Sequence, residues 1–178
     1  MKHIILISLL LIFISGKAQE ARYQTYSADL EIIATKDGVD YKWQNSDILV
    51  NLNYKTGKIN IEIKSDDFHN KAQSEPLTNT NNNIRYSLVG YLPIEQIIDQ
   101  KISTKQYTVE LQLINDNIDF SDVLNFAMSV MRTSQQAGSY RVFTFSGNLY
   151  NDKLQLPAFK GFDNNIEIRI MFNAFWNG

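Results

Sequence analysis

Apolar and polar residues alternate along most of the chain with a period of two. The clearest runs cover residues 48–54, 59–63, 84–88, 107–113, 142–149 and 166–174. An extended strand points successive side chains to opposite faces, so this period predicts strands with one apolar face. Such strands pair mainly with antiparallel neighbours, because parallel strands are usually buried on both faces.

Short turn sequences separate several of these runs. They are KTG (55–57), DG (37–38) and ND (151–152). The first joins two of the runs into a hairpin, and the second joins further candidate strands at 28–35 and 39–44. The third is expected to turn the run at 140–150 back into residues 153–156.

Eight or nine short strands joined by turns are typical of a β-barrel or a β-sandwich. We predict an all-β fold: an antiparallel, closed or nearly closed barrel of about eight strands with one short helix. Residues 19–178 are about as many as one domain usually contains, so we expect a single β-barrel domain.

Two segments depart from the alternation. Residues 71–83 are polar and end in an asparagine cluster, which indicates a surface loop. Residues 120–134 favour a helix, because Leu, Ala and Met are good helix formers. One helical face would carry Phe120, Leu124, Ala127 and Met131. The alternative is a strand, in which Phe126, Met128 and Val130 share a face.

The N-terminus has the pattern of a secretory signal peptide at residues 1–18. A lysine at position 2 precedes an apolar run at 4–14, and Gly16 and Ala18 supply small residues before a cleavage site. Cleavage after Ala18 would leave no stable membrane span, because a spanning helix needs roughly 20 apolar residues. The sequence therefore predicts a periplasmic or secreted protein.

Composition and charge disfavour several functions. The chain has no cysteine and two histidines, of which only His69 lies outside the leader. Loss of Lys2 and Lys17 with the leader leaves 15 basic and 19 acidic residues, a net charge of −4. Nucleic-acid binding needs clustered basic residues, so it is not expected. We likewise expect no catalysis, no cofactor and no metal.

His69 follows Asp66-Asp67-Phe68, a sequence that could provide metal ligands or an acid/base pair. Adjacent carboxylates on an extended segment point to opposite faces, however, so a polar strand end is the favoured interpretation.

Aromatic residues make up 12% of the chain, and several occupy the apolar phase of the strands. In a closed barrel, that phase points inwards and either fills the core or lines a cavity. The residues that we predict to line an apolar ligand site are Ile61, Ile63, Tyr86, Leu88, Val109, Leu111, Phe143, Phe145, Ile168, Ile170 and Phe172.

Residues 47–176 resemble the YceI-like family. The similar segments are KTGKI (55–59), IKSDDF (63–68), IRYSLVGYLPI (84–94), LPAF (156–159) and NIEIRIMFNAF (165–175). The resemblance implies an exported, lipocalin-like barrel that binds polyisoprenoid lipids inside. Glu95-Gln96 replaces the His-Gly that the family usually has, and residues 120–134 have no clear counterpart.

Together these features predict an exported lipid-binding barrel that holds an isoprenoid or another long apolar ligand. One alternative is a structural or adhesive β-sandwich with a filled core. A second is a small outer-membrane barrel, since about 160 residues suffice for eight strands. The sequence leaves the oligomeric state open.

Overall fold

The computed structural model describes residues 22–25, 27–64, 69–70, 85–101, 103–115, 120–132, 140–154 and 159–175. The strand segments are β1 (Arg22–Gln24), β2 (Ala28–Lys36), β3 (Val39–Asn45), β4 (Leu49–Asn53), β5 (Lys58–Lys64), β6 (His69–Asn70), β7 (Arg85–Tyr91), β8 (Thr104–Asn115), β9 (Phe120–Arg132), β10 (Tyr140–Tyr150) and β11 (Asn165–Phe175). The short helices are α1 (Ile94–Ile98) and α2 (Asn151–Leu154). The predicted leader, the loop at 71–83 and residues 66–68 lie outside the described residues.

The segments form one sheet in the order β1-β4-β5-β7-β8-β9-β10-β11-β2-β3-β6. Its two end segments belong to strands that continue elsewhere in the sheet. Leu30 in β2 pairs with Asn45 in β3, and six residues away Gln24 in β1 pairs with Asn51 in β4. The register is the same on both sides of the break, so these four segments form one bent hairpin.

The same continuity closes the sheet. β5 pairs with β4. β6 follows β5 in the chain and pairs with β3. Three pairs of segments thus act as single bent strands, which reduces eleven segments to eight strands. Each strand then has two antiparallel neighbours, and β11 pairs with both β10 and β2. The predicted eight-stranded antiparallel barrel is confirmed.

Asn45 stabilises the bend in the first hairpin. Its side chain is fully buried; Nδ2 donates to the carbonyl of Lys64 at 3.1 Å, and Oδ1 accepts from the amide of Asp47 at 2.8 Å. Asn45 and Ile48 are both buried although they are three positions apart, an odd spacing that would place them on opposite faces of a regular strand. The chain therefore bends between β3 and β4 in such a way that the apolar residues of both segments stay inside the barrel.

The predicted helix at 120–134 is wrong, because residues 120–132 form β9. β9 pairs with β8 from Phe120 to Met131 and with β10 from Phe126 to Arg132. Main-chain hydrogen bonds to two neighbours override the helix propensity of the segment. The strand alternative had the correct phase, since Phe126, Met128 and Val130 are all buried.

The lower end of the barrel is covered by the connection between β7 and β8. Leu92 and two residues of α1, Ile94 and Ile97, are buried there. Gly57 has φ +73°, a conformation that glycine adopts readily, and its carbonyl accepts a hydrogen bond from the amide of Leu92 at 2.8 Å. The hairpin and the connection are therefore joined beneath the barrel.

The upper end carries an aromatic cluster beside the turn at 37–38. The cluster consists of Tyr41, Trp43, Phe159 and Phe162, whose ring centroids lie 5.3–6.1 Å apart. The side chain of Asn151, at the start of α2, donates to the carbonyls of Phe159 and Phe162. We predicted a return strand at 153–156. This is wrong for Lys153, which lies in the helical turn α2.

Candidate ligand-binding interior

All eleven residues of the predicted ligand site lie on strands β5, β7, β8, β10 and β11, and ten of them are buried. The exception is Tyr86, which is half-buried and packs against the core. Closure of the barrel thus brings the predicted residues together inside it, as alternation implied. Their contact with a ligand stays a prediction.

Stacked phenylalanines occupy one side of the interior. The rings of Phe143 and Phe172 lie 4.8 Å apart and nearly parallel, and Phe145 lies 5.8 Å from Phe172. Phe126 contacts Phe145 edge-on at 6.0 Å and covers Gly147, where an added methyl group would lie 2.8 Å from its ring. Phe126 was missed as a site residue because the sequence analysis favoured a helix there.

The middle of the barrel is filled by side chains. Ile61, Leu88, Leu111, Phe143, Phe145 and Ile170 have no accessible surface. A side chain without accessible surface borders no space large enough for a water molecule. A ligand chain in this layer must therefore displace side chains.

A polar cluster, which we call the floor cluster, lies at the lower end of the interior. It comprises Tyr54, Gln100, Arg132 and Arg141. Arg141 is 1% exposed, and its Nη2 donates to the carbonyl of Ile98 at 3.2 Å. Arg132, its direct partner across β9 and β10, donates from Nη1 to the carbonyl of Gln100 at 2.8 Å. Arg141 thus contacts the last carbonyl of α1, and Arg132 contacts a carbonyl two residues beyond the helix.

Burial is the largest influence on the pKa of Arg141. It lowers the pKa of the guanidinium, Arg132 lowers it further, and nearby Tyr54 acts in the opposite direction. Arg141 shares the inward phase of Phe143 and Phe145, and Arg132 shares that of Met128 and Val130. An arginine at an alternating position that is otherwise apolar is the sequence signal for this cluster, which was not among the predicted site residues.

A second, uncharged polar pair lies towards the upper end. Tyr86 shares a hydrogen bond with the side chain of Asn115, which is fully buried. Burial raises the pKa of Tyr86, and the hydrogen bond opposes this by a smaller amount. The two ends of the interior therefore differ in charge.

The described residues provide few features of a catalytic site. They contain no group of three acidic or histidine side chains that could hold a metal ion. His69 pairs with Gln44 through the main chain of β6, and its neighbours Asp66 and Asp67 lie outside the described residues. No helix in the described part of the chain is both long and apolar enough to cross a membrane.

Polar and charged residues occupy many outward positions, although Val123 on β9 and Met171 on β11 are exposed apolar residues. On β2 to β5 the outward positions include Glu31, Lys42, Lys58, Glu62 and Lys64. An outer-membrane barrel has an apolar band outside and a polar interior, which is the reverse of this arrangement. The distribution of side chains thus disfavours the outer-membrane alternative.

A solved structure shares this fold. The chain is similar to a polyisoprenoid-binding domain from Saccharophagus degradans, described as implicated in plant cell wall breakdown, with a TM-score of 0.71 and 8% sequence identity. The similarity covers 86% of this chain and 98% of that domain. The sequence matches no family model and no curated protein. The expected YceI-like, lipocalin-like fold is therefore confirmed by structure, at an identity that shows the fold alone.

Proposed function

We propose that this protein is an exported, non-catalytic carrier that holds an isoprenoid or another long apolar ligand inside its barrel, and that it is a divergent relative of the YceI-like proteins. The observation that carries the proposal is a closed barrel in which all eight strands turn an apolar face inwards. Polyisoprenoid binding by the similar domain supports the same class of ligand.

The free energy for binding would come from burial of the apolar chain. Each CH₂ group removed from water contributes about 0.8 kcal/mol. The displaced side chains oppose this gain, because overpacking a core typically costs about 1–3 kcal/mol. A long chain can exceed that cost, whereas a short one cannot, so the proposal favours ligands of many carbons.

The direct test is to identify what the protein carries. The full chain with its leader is expressed, the exported fraction is purified, and its lipids are extracted with organic solvent and identified by mass spectrometry. We expect an apolar lipid in amounts comparable to the protein. A matched sample of Leu111→Trp, whose new side chain would occupy the middle layer, should carry much less. An exported protein free of lipid would contradict the proposal.

A barrel with a filled core and a structural role is the second candidate. The absence of accessible surface in the middle layer favours it. Overpacking separates the two functions, because in a carrier Leu111→Trp or Ile168→Phe should reduce binding more than stability. In a filled core the same changes should cost about 1–3 kcal/mol of stability. Strong destabilisation together with a lipid-free wild type would decide for the structural role.

A further inference from the structure

Two cations meet at the lower end of an apolar interior. Arg132 and Arg141 face each other across β9 and β10, on the inward phase of both strands. Like charges directly opposite each other destabilise a sheet, and buried charges are normally complemented by opposite charge or hydrogen bonds. Both guanidinium groups donate to main-chain carbonyls at this end, and an anion held between them would complement the positive charge of both.

Gln100 provides an independent observation at the same place. Its side chain is 5% exposed, and Nε2 donates to the carbonyls of Ser103 at 2.6 Å and Val130 at 2.9 Å. These bonds fix the orientation of the amide. Its Oε1 is buried and has no hydrogen-bond partner among the described residues. A hydroxyl group brought by a ligand would satisfy this acceptor.

The geometry points to a head-group site: we infer that the floor cluster binds the oxyanion head group, carboxylate or monophosphate, of a long-chain lipid. Arg132 and Arg141 donate to the anionic oxygens, and the apolar chain runs upwards along the inward strand faces. Gln100 Oε1 accepts from the O–H that a singly protonated monophosphate has and a carboxylate lacks. The inference rests on the proposed function and adds the chemical class and orientation of the ligand.

The opposite end supports this orientation. Tyr86 and Asn115 offer hydrogen bonds there but no charge. Guanidinium groups form stronger, charge-assisted hydrogen bonds to carboxylate and phosphate than neutral groups do. An acidic head group therefore has its better partners at the lower end.

The test compares ligands that differ only in the head group. The purified exported protein is titrated calorimetrically with hexadecanoate, methyl hexadecanoate and hexadecyl phosphate, each at a concentration at which the ligand stays dissolved as single molecules. We expect the acid to bind at least roughly tenfold more tightly than the ester, since hydrogen bonds to charged groups are the strong ones. Tighter binding of the phosphate identifies a monophosphate head group, and tighter binding of hexadecanoate identifies a carboxylate.

Two variants locate the effect. Arg132→Gln and Arg141→Lys should each reduce the preference for acid over ester by several fold. Lys101→Gln, which removes an exposed charge from the same end, should retain it. The ratio of affinities is measured within one protein, so a general loss of stability that weakens both ligands does not imitate the result.

The outcomes separate the two claims. Equal binding of acid and ester by the wild type overturns the head-group site and leaves the proposed carrier function intact. Binding of neither ligand overturns both claims. A preference for the acid that survives in both arginine variants would place the anion elsewhere and would also overturn the head-group site.

Discussion

Gly147 packs closely against the Phe126 ring inside the barrel. An added methyl group at Gly147 would lie 2.8 Å from the Phe126 ring and 3.0 Å from the carbonyl oxygen of Asn125. We expect Gly147→Ala to cost about 1–3 kcal/mol in urea unfolding, and Phe126→Leu in the same chain to recover part of the loss. The exposed control Asn148→Ala should stay within about 0.5 kcal/mol of the wild type.

This substitution also reports on the interior itself. A Gly147→Ala variant as stable as the wild type would mean that Phe126 moves aside freely. The interior would then contain more adjustable space than the contacts indicate, and the filled-core alternative would lose its main support.

Tyr86 gives the barrel a pH dependence in alkaline solution. Burial raises its pKa in the folded state, so the unfolded chain loses this proton first as the pH rises above about 10. The folded state then binds more protons, and stability falls as the pH increases. Urea unfolding at increasing pH should show a smaller decline in Tyr86→Phe than in the wild type. Equal declines would show that the phenol is not the source.

At the scale of the elements, Asn45 connects two bent strands. Removal of its side chain leaves the Asp47 amide and the Lys64 carbonyl without their described side-chain partner. Since a hydrogen bond typically contributes about 0.5–1.5 kcal/mol and this side chain makes two, Asn45→Ala should destabilise the fold by about 1–3 kcal/mol. Asn51→Ala, on the outward face of β4, is the matched control and should change stability little. Unchanged unfolding of Asn45→Ala would contradict its role in the bend.

The strands could be predicted because each has one apolar and one solvated face. β9 was the exception: Leu124 and Phe126 fit an inward strand phase, but Leu, Ala and Met also favour a helix. Strand is favoured over helix because β9 forms main-chain hydrogen bonds to β8 on one side and β10 on the other. These pairings are made in the folded barrel and cannot be recognised from the local sequence. The brief helix α1 was missed because five residues give too little periodicity to recognise.

The candidate site was predictable only in part, for the same reason. Alternation identified the inward residues of five strands, so the apolar lining followed from sequence. The floor cluster depends on the register between β9 and β10 and on the folding of α1 beneath the barrel. Arg132, Arg141 and Gln100 lie far apart in sequence, and no local pattern brings them together.

For the whole molecule, export is the first property to check. The basic residue, apolar run and small residues at 1–18 lead us to expect a mature chain that begins at Gln19 or within a few residues of it. Mass spectrometry of the exported protein measures this directly. An exported protein that retains Met1 would contradict cleavage of the leader.

The central claim is that one barrel carries one long apolar ligand. Native mass spectrometry of the exported protein, under ionisation conditions that preserve non-covalent complexes, measures this most directly. We expect a complex of one chain with one lipid, which dissociates to the bare mass on collisional activation, and a largely bare mass for Leu111→Trp. A wild-type protein found only at its bare mass, and still bare after incubation with long-chain lipids, would contradict the account.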